Sequence, residues 1–193
     1  MKDTRNPYSF QKNKEYEETF TKANTQLLLD LMGADSYVDL SQTFLDKDSG
    51  IDCIAKVGKD NKGVALRIRK PEYSKYKYNF SLGHHFDKEN SQVHAILNAL
   101  RPDVIAPNFL LQINGVSEDG YCEECVAIKI QTDVFAYHLK EKIADTTLDN
   151  LYVPRLAAYE FKMKDVFYET NSGVDYYLIE NDTIIKAASN DEY

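Results

Sequence analysis

The chain opens on a helical pattern of apolar and polar positions. Between residues 12 and 32, apolar side chains recur at spacings of three and four, which describes one face of an amphipathic helix. Gly33 follows the last apolar position, and a glycine there is the usual end of a helix. We therefore predict one helix over residues 12–32. Its apolar face consists of Tyr16, Phe20, Ala23, Leu27, Leu28 and Leu31.

The pattern then changes to the two-residue alternation of strands. Residues 37–40 alternate weakly, and a polar turn is predicted after them at residues 46–50. Residues 51–57 and 64–69 alternate clearly on either side of a turn that begins and ends with glycine. These two segments predict a β-hairpin.

The rest of the chain contains both kinds of pattern, which together predict the α/β class. Strands are predicted at residues 79–82, 109–113 and 125–130, helices at 92–100 and 133–143, a loop at 145–154 and a hairpin over 174–187. We expect a mixed β-sheet flanked by helices. The chain is predicted to form a single domain over residues 1–193, with a core at residues 13–131 and an accessory layer at 132–193.

Composition indicates a chain that folds by itself and stays out of the membrane. Hydrophobic residues make up 43% and charged residues 28%, which is ordinary for a globular domain. No apolar run approaches the roughly 20 residues of a membrane-spanning helix, and the N-terminus is polar where a signal peptide is apolar. The three cysteines are too few for a disulfide framework. These features predict a cytoplasmic protein.

Charge is distributed unevenly along the chain. The net charge is −8, which argues against a protein that coats nucleic acid through overall positive charge. Residues 56–78 nevertheless contain eight basic and two acidic side chains, so the remainder of the chain carries a net charge of −14. The acidic loop over residues 115–124 contributes to that excess.

Gly50, Ile51 and Asp52 come at the start of the predicted hairpin and carry a family resemblance. A helix, a strand, a hairpin with an aspartate near its start, and then a helix and a strand follow one another as in the PD-(D/E)XK nucleases. The chain resembles this restriction-endonuclease-like core over residues 13–113. The resemblance implies Mg²⁺ held by Asp52 and by a supplementary glutamate on the first helix, for which Glu17 is favoured. Hydrolysis of a phosphodiester needs such a hard cation and a nucleophile activated by it.

The second hairpin strand departs from the family pattern. Alternation puts Ala65, Arg67 and Arg69 on one face. If Ala65 holds the second metal-ligand position and Arg67 the lysine position, one carboxylate is lost and the basic group cannot serve as a base near neutral pH. The candidate catalytic residues are therefore Asp52, Glu17 and Arg67, in an active or a degenerate nuclease.

Basic and aromatic side chains interleave directly after this strand. Cations that neutralise phosphates beside rings that stack on bases are typical of a single-strand nucleic-acid surface. The candidate nucleic-acid-binding residues are Arg69, Lys70, Tyr73, Lys75, Tyr76 and Lys77. The alternative is a solvated loop whose tyrosines pack on the core.

Three further interpretations remain open beside the nuclease. The chain could be an interaction or inhibitor protein of phage or mobile-element type, with an acidic surface for a protein partner. It could be a nucleic-acid-binding module without catalysis. Finally, Asp52 could be a strand-edge residue beside a turn, with Arg67 and Arg69 paired to carboxylates on an exposed sheet face.

Overall fold

The computed structural model describes residues 7–41, 43–69, 79–84, 96–145, 157–162, 173–181 and 183–186. The helical segments are α1 (Pro7–Ala23), α2 (Thr25–Met32), α3 (Phe44–Ser49), a 3-10 turn (Asn98–Leu100) and α4 (Thr132–Asp145). The strands are β1 (Ser36–Asp39), β2 (Cys53–Val57), β3 (Asp60–Ile68), β4 (Asn79–His84), β5 (Phe109–Asn114), β6 (Glu124–Gln131), β7 (Ala157–Lys162), β8 (Val174–Glu180) and β9 (Thr183–Lys186).

A seven-stranded mixed sheet forms the centre of the fold, in the order β1-β2-β3-β5-β6-β8-β9. All neighbours in it are antiparallel except β3 and β5, which run parallel with Val64 opposite Phe109 and Ile68 opposite Ile113. The strands β4 and β7 form a separate two-stranded antiparallel sheet. The strands β8 and β9 thus continue the same sheet as β1 to β3.

Helices cover both faces of the seven-stranded sheet. On one face, called the α1/α2 face, Phe20 of α1 and Leu28 of α2 pack with Val64, Leu111 and other buried strand residues. On the opposite face, called the α4 face, the core contains Phe135, Ala136 and Leu139 from α4. Ile96, Leu110, Val126, Ile128, Ile130 and Tyr176 complete that second core. The predicted α/β class and the mixed sheet flanked by helices are confirmed.

The first helix is divided where one helix was predicted. Asn24 lies between α1 and α2, and its buried side-chain Nδ2 donates hydrogen bonds to the carbonyls of Phe20 (2.9 Å) and Gly120 (2.7 Å). Because the amide is held by the loop around Gly120, the backbone turns at this residue. The predicted end of the second helix at Gly33 is confirmed, since that residue closes α2 with φ of +65°.

The prediction of a turn at residues 46–50 is wrong, because those residues belong mostly to α3. Thr43 begins the helix in an extended conformation and accepts a hydrogen bond from the N–H of Asp46. Gly50 ends it with φ of +64°. The threonine cap and the glycine stop are both visible in the sequence, although the polar residues between them resemble a turn.

The predicted hairpins at β2–β3 and β8–β9 are confirmed, and the strands predicted at residues 109–113 and 125–130 are β5 and β6, which pair antiparallel. The helix predicted over residues 133–143 is α4. Residues 92–95 and the loop predicted after residue 145 lie outside the described residues. No helix in the described part of the chain has the length and apolar character needed to cross a membrane.

Candidate functional site

Asp52 lies just before β2 and is bonded to both of its neighbours in the sheet. Its N–H donates to the carbonyl of Val64 on β3 (2.9 Å), and its carbonyl accepts from the N–H of Leu40 after β1 (2.8 Å). Its side-chain Oδ2 accepts from the backbone N–H of Leu66 (2.7 Å). The regular β2–β3 ladder begins only at Cys53. At the end of the ladder, the Asp52 carboxylate therefore accepts the hydrogen bond of Leu66 that a backbone carbonyl would accept in a regular ladder.

A cavity of about 350 Å³ opens beside this carboxylate, between α1, α2 and the first residues of β2. Its lining combines carboxylates and hydroxyls with apolar side chains. The lining consists of Glu17, Glu18, Thr21, Lys22, Leu28, Met32, Tyr37, Asp39, Ser41, Asp52, Cys53 and Leu66. The structure thus brings Asp52 and Glu17, both predicted site residues, to the same cavity.

Burial is the main reason why the pKa of Asp52 rises from 3.8 to about 7. A carboxylate removed from water loses hydration, which disfavours its charged form. The Leu66 N–H opposes this rise, whereas the negative charges of Asp46 and Glu17 and a side-chain hydrogen bond with Asp46 add to it. Near neutral pH, Asp52 therefore exchanges a proton while sharing a hydrogen bond with the carboxyl group of Asp46.

Magnesium is the cofactor that the family resemblance implies, and the donors available for it are few. Asp46 and Glu17 lie near enough to Asp52 to repel it, so a cation there would relieve that repulsion. Mg²⁺ requires near-octahedral oxygen coordination, usually through one or two carboxylates and several waters. Across the described ranges, however, no group of three or more His, Cys, Asp or Glu side chains is arranged to hold a metal ion. Magnesium stays a prediction.

The two faces of β3 separate Asp52 from Arg67. Val64, Leu66 and Ile68 belong to the α1/α2 face, where the cavity lies, whereas Ala65 packs against the core of the α4 face. Arg67 alternates with Leu66 and so shares the face of Ala65. The predicted common face of Ala65 and Arg67 is thus present, but it is the face opposite the cavity.

Arg67 and Arg69 lie next to polar residues of β5. Arg67 is opposite Gln112 in the parallel register, and the N–H of Arg69 donates to the carbonyl of Ile113 (2.8 Å). Gln112 and Asn114 are buried, and their side chains are joined by a hydrogen bond of 2.9 Å. Both arginines are half-buried. Together with Gln112 and Asn114 they form a group of polar residues on neighbouring strands of the sheet.

The remaining predicted nucleic-acid-binding residues, Lys70, Tyr73, Lys75, Tyr76 and Lys77, lie outside the described residues. In the described part of the basic segment, Lys56 and Lys59 are exposed at the far end of the β2–β3 hairpin. That end lies about 17 Å from Asp52, given a rise of about 3.3 Å per strand residue. Lys56 and Lys59 therefore do not surround the cavity.

Several residues of the cavity were not predicted. Asp39 and Tyr37 alternate on one side of β1, and Lys22 lies one helical turn after Glu18 on α1. Helical spacing was the available signal for Lys22, since residues four apart share one side of a helix. Asp46, which lies outside the cavity lining but raises the pKa of Asp52, gave no signal because its segment was predicted to be a turn.

Comparison of the chain with protein-family models, with curated proteins and with solved structures found no match.

Proposed function

We propose that this chain is a degenerate relative of the PD-(D/E)XK nucleases that acts as an interaction protein for a basic protein partner. The order of its elements supports the relationship. Helices α1 and α2, strand β1, the β2–β3 hairpin, a helical segment before Arg101 and strand β5 come in the same order as in that core, with α3 inserted before β2 and β4 inserted after β3. In addition, β5 closes the series by running parallel to β3.

The observation that carries the proposal is the apolar character of β3 beside Asp52. A nuclease of this family uses a carboxylate and a lysine on this strand, next to the first aspartate. Here the residues that face the cavity side are Val64, Leu66 and Ile68. They offer neither a metal ligand nor a group to support an attacking water. Metal-dependent hydrolysis of a phosphodiester at Asp52 would therefore lack its second carboxylate and its lysine.

Charge favours a basic protein over nucleic acid at this cavity. Carboxylates of Glu17, Glu18 and Asp39 line it beside Asp52, and they would repel a phosphate backbone. The acidic loop before β6 lies against the same helix, since the Tyr16 hydroxyl donates to the carbonyl of Ser117 (2.8 Å). Acidic surfaces of this kind attract basic partners and speed their association.

A cleavage assay tests the loss of hydrolysis. The wild-type chain is incubated with a mixed pool of single- and double-stranded DNA and RNA in Mg²⁺ or Mn²⁺, beside Asp52→Asn. We expect no cleavage by either protein. Metal-dependent cleavage that Asp52→Asn abolishes would overturn the proposal. Metal-independent, salt-sensitive binding of the same pool would instead assign the basic segment as the functional surface.

A metal-dependent phosphodiester hydrolase is the second candidate function. It is favoured by the proximity of Asp46 and Glu17 to Asp52, whose mutual repulsion a divalent cation would relieve. Calorimetric titration of Mg²⁺ and Mn²⁺ distinguishes the two candidates. The hydrolase requires metal binding that Asp52→Asn and Glu17→Gln weaken and that Glu118→Gln, on the exposed acidic loop, leaves unchanged.

A further inference from the structure

The cavity beside Asp52 has the two chemical parts of a site for a long cationic side chain. Leu28, Met32 and Leu66 supply apolar lining, and Glu17 and Asp39 supply carboxylates. A flexible aliphatic stem packs on apolar surface while its charged end needs an acidic or aqueous partner. Its volume of about 350 Å³ is near the lower limit of the roughly 300–1,000 Å³ of ligand pockets, which suits one side chain.

We propose that this cavity receives an arginine side chain of the basic partner, an inference that rests on the proposed interaction function. Asp52 and Glu17 both line it, and they lie near enough to each other for their charges to repel. A guanidinium has five donors in a planar fork and binds carboxylates in pairs, whereas an ammonium is a compact point charge. Arginine therefore fits two adjacent carboxyl groups better than lysine does.

Lys22 is the basic residue of the cavity lining. It is exposed on α1, whereas Asp52 is half-buried. A solvated ammonium weakens the attraction for a second cation only through water, where charges are well screened.

An exposed aromatic residue close in sequence to the cavity favours a protein as the source of the arginine. Phe44 is 71% exposed and lies three residues after Ser41, which lines the cavity. Interface centres are enriched in aromatic residues, and arginine is a frequent anchor in them. A free small amine would leave Phe44 in water.

Nuclear magnetic resonance titration tests this site with two pairs of probes. The first pair is N-acetyl-arginine amide and N-acetyl-citrulline amide, which have the same shape but differ in charge. The second pair is a short peptide with one arginine and its citrulline counterpart. The reporter is the backbone N–H of Leu66, because it donates directly to Asp52. We expect saturable shifts with both arginine probes, weak for a lone side chain, and none with citrulline.

Matched variants locate the binding. Asp52→Asn retains an acceptor for Leu66, and together with Glu17→Gln it should weaken arginine binding at least fivefold. Asp60→Asn, at an exposed position at the far end of the β2–β3 hairpin, should leave it unchanged. Equal shifts with arginine and citrulline, no saturable shift at Leu66, or binding of the amide without the peptide would each overturn the arginine site.

The failure of this inference is distinguishable from that of the proposed function. Absence of arginine binding together with absence of cleavage overturns the site but leaves the interaction function standing. Metal-dependent cleavage lost in Asp52→Asn overturns both.

Discussion

The Asp52 carboxylate and the Leu66 backbone N–H are joined by a hydrogen bond of 2.7 Å. In a regular antiparallel ladder, such an N–H bonds to a carbonyl of the next strand. Here β2 pairs with β3 only from Cys53 onward, and the Asp52 side chain supplies the acceptor. The residue that would give its oxygens to a metal ion in a nuclease thus completes the sheet.

Replacement of Asp52 by alanine is expected to destabilise the fold more than replacement by asparagine. Alanine leaves the Leu66 N–H without its acceptor, whereas the asparagine carbonyl can keep the bond. A buried donor that loses its partner costs about 1–3 kcal/mol. Urea denaturation at pH 5 should therefore give Asp52→Ala a free energy of unfolding lower than that of Asp52→Asn by about that amount. Equal values would mean that water satisfies Leu66 equally well.

The stability of the wild-type chain is expected to fall as pH rises from about 5 to 7 and to level off above that pH. The pKa of Asp52 is about 7 in the folded chain against 3.8 in an exposed one, so the folded state holds this proton more tightly. Stability from such a group is lost as pH rises through the folded pKa, by at most about 1.4 kcal/mol per pH unit. The measurement is a series of urea unfolding curves across this range. Asp52→Asn lacks the titrating group and should reduce the slope; an unchanged slope would assign it to other groups.

Asn24→Ala is expected to loosen the joint between α1, α2 and the loop before β6. The buried amide bonds to the carbonyls of Phe20 and Gly120, and neither bond is available to alanine. We expect a loss of about 1–3 kcal/mol in the free energy of unfolding, measured by chemical denaturation. Gln26→Ala is the control, because its bond to Asp30 is exposed and its loss should cost below about 0.5 kcal/mol. Similar losses in both variants would contradict the role of Asn24.

Alanine substitutions at two glycines with positive φ allow the cost of backbone strain to be measured apart from the cost of steric crowding. At Gly33, φ is +65° and an added Cβ meets nothing within 4 Å, so Gly33→Ala should cost about 1–2 kcal/mol from conformation alone. At Gly173, φ is +71° and the added Cβ would lie 2.8 Å from the Cβ of Val134. Overpacking typically costs a further 1–3 kcal/mol, roughly, so Gly173→Ala should have the lower melting temperature. A lower melting temperature for Gly33→Ala than for Gly173→Ala would mean that the backbone near Gly173 and Val134 can shift to accommodate the added methyl group.

Local patterns predicted much of this fold because they depend on neighbouring residues. The two-residue alternation of β3 and β5 and the glycine after α2 were sufficient to predict a hairpin, a strand and a helix end. The break at Asn24 was not predictable in this way, because its cause is a bond to Gly120, which is remote in sequence. The helix α3 was missed because its polar residues also suit a turn.

The sequence predicted some features of the candidate site but not the face of the sheet on which the Asp52 side chain lies. Cys53 lies opposite Val64, so a regular ladder would place Asp52 opposite Ala65, on the face of Arg67. The chain instead leaves the ladder at Asp52, and its carboxylate reaches the cavity beside Leu66. A shift of one residue reverses which face a side chain occupies. Alternation therefore predicted which residues share a face, but not the side on which Asp52 lies.

The parallel contact between β3 and β5 has a consequence for the speed of folding. On each side of it, β2 pairs with β3 and β5 pairs with β6 through short connections, whereas Val64 pairs with Phe109 more than forty residues away. Closing so long a loop loses more chain entropy than closing a hairpin, and distant pairings slow folding. The β2–β3 and β5–β6 pairs are therefore expected to form first. The joining of β3 to β5, like that of β6 to β8, where Ile130 lies opposite Val174, is expected to follow and to limit the rate of folding.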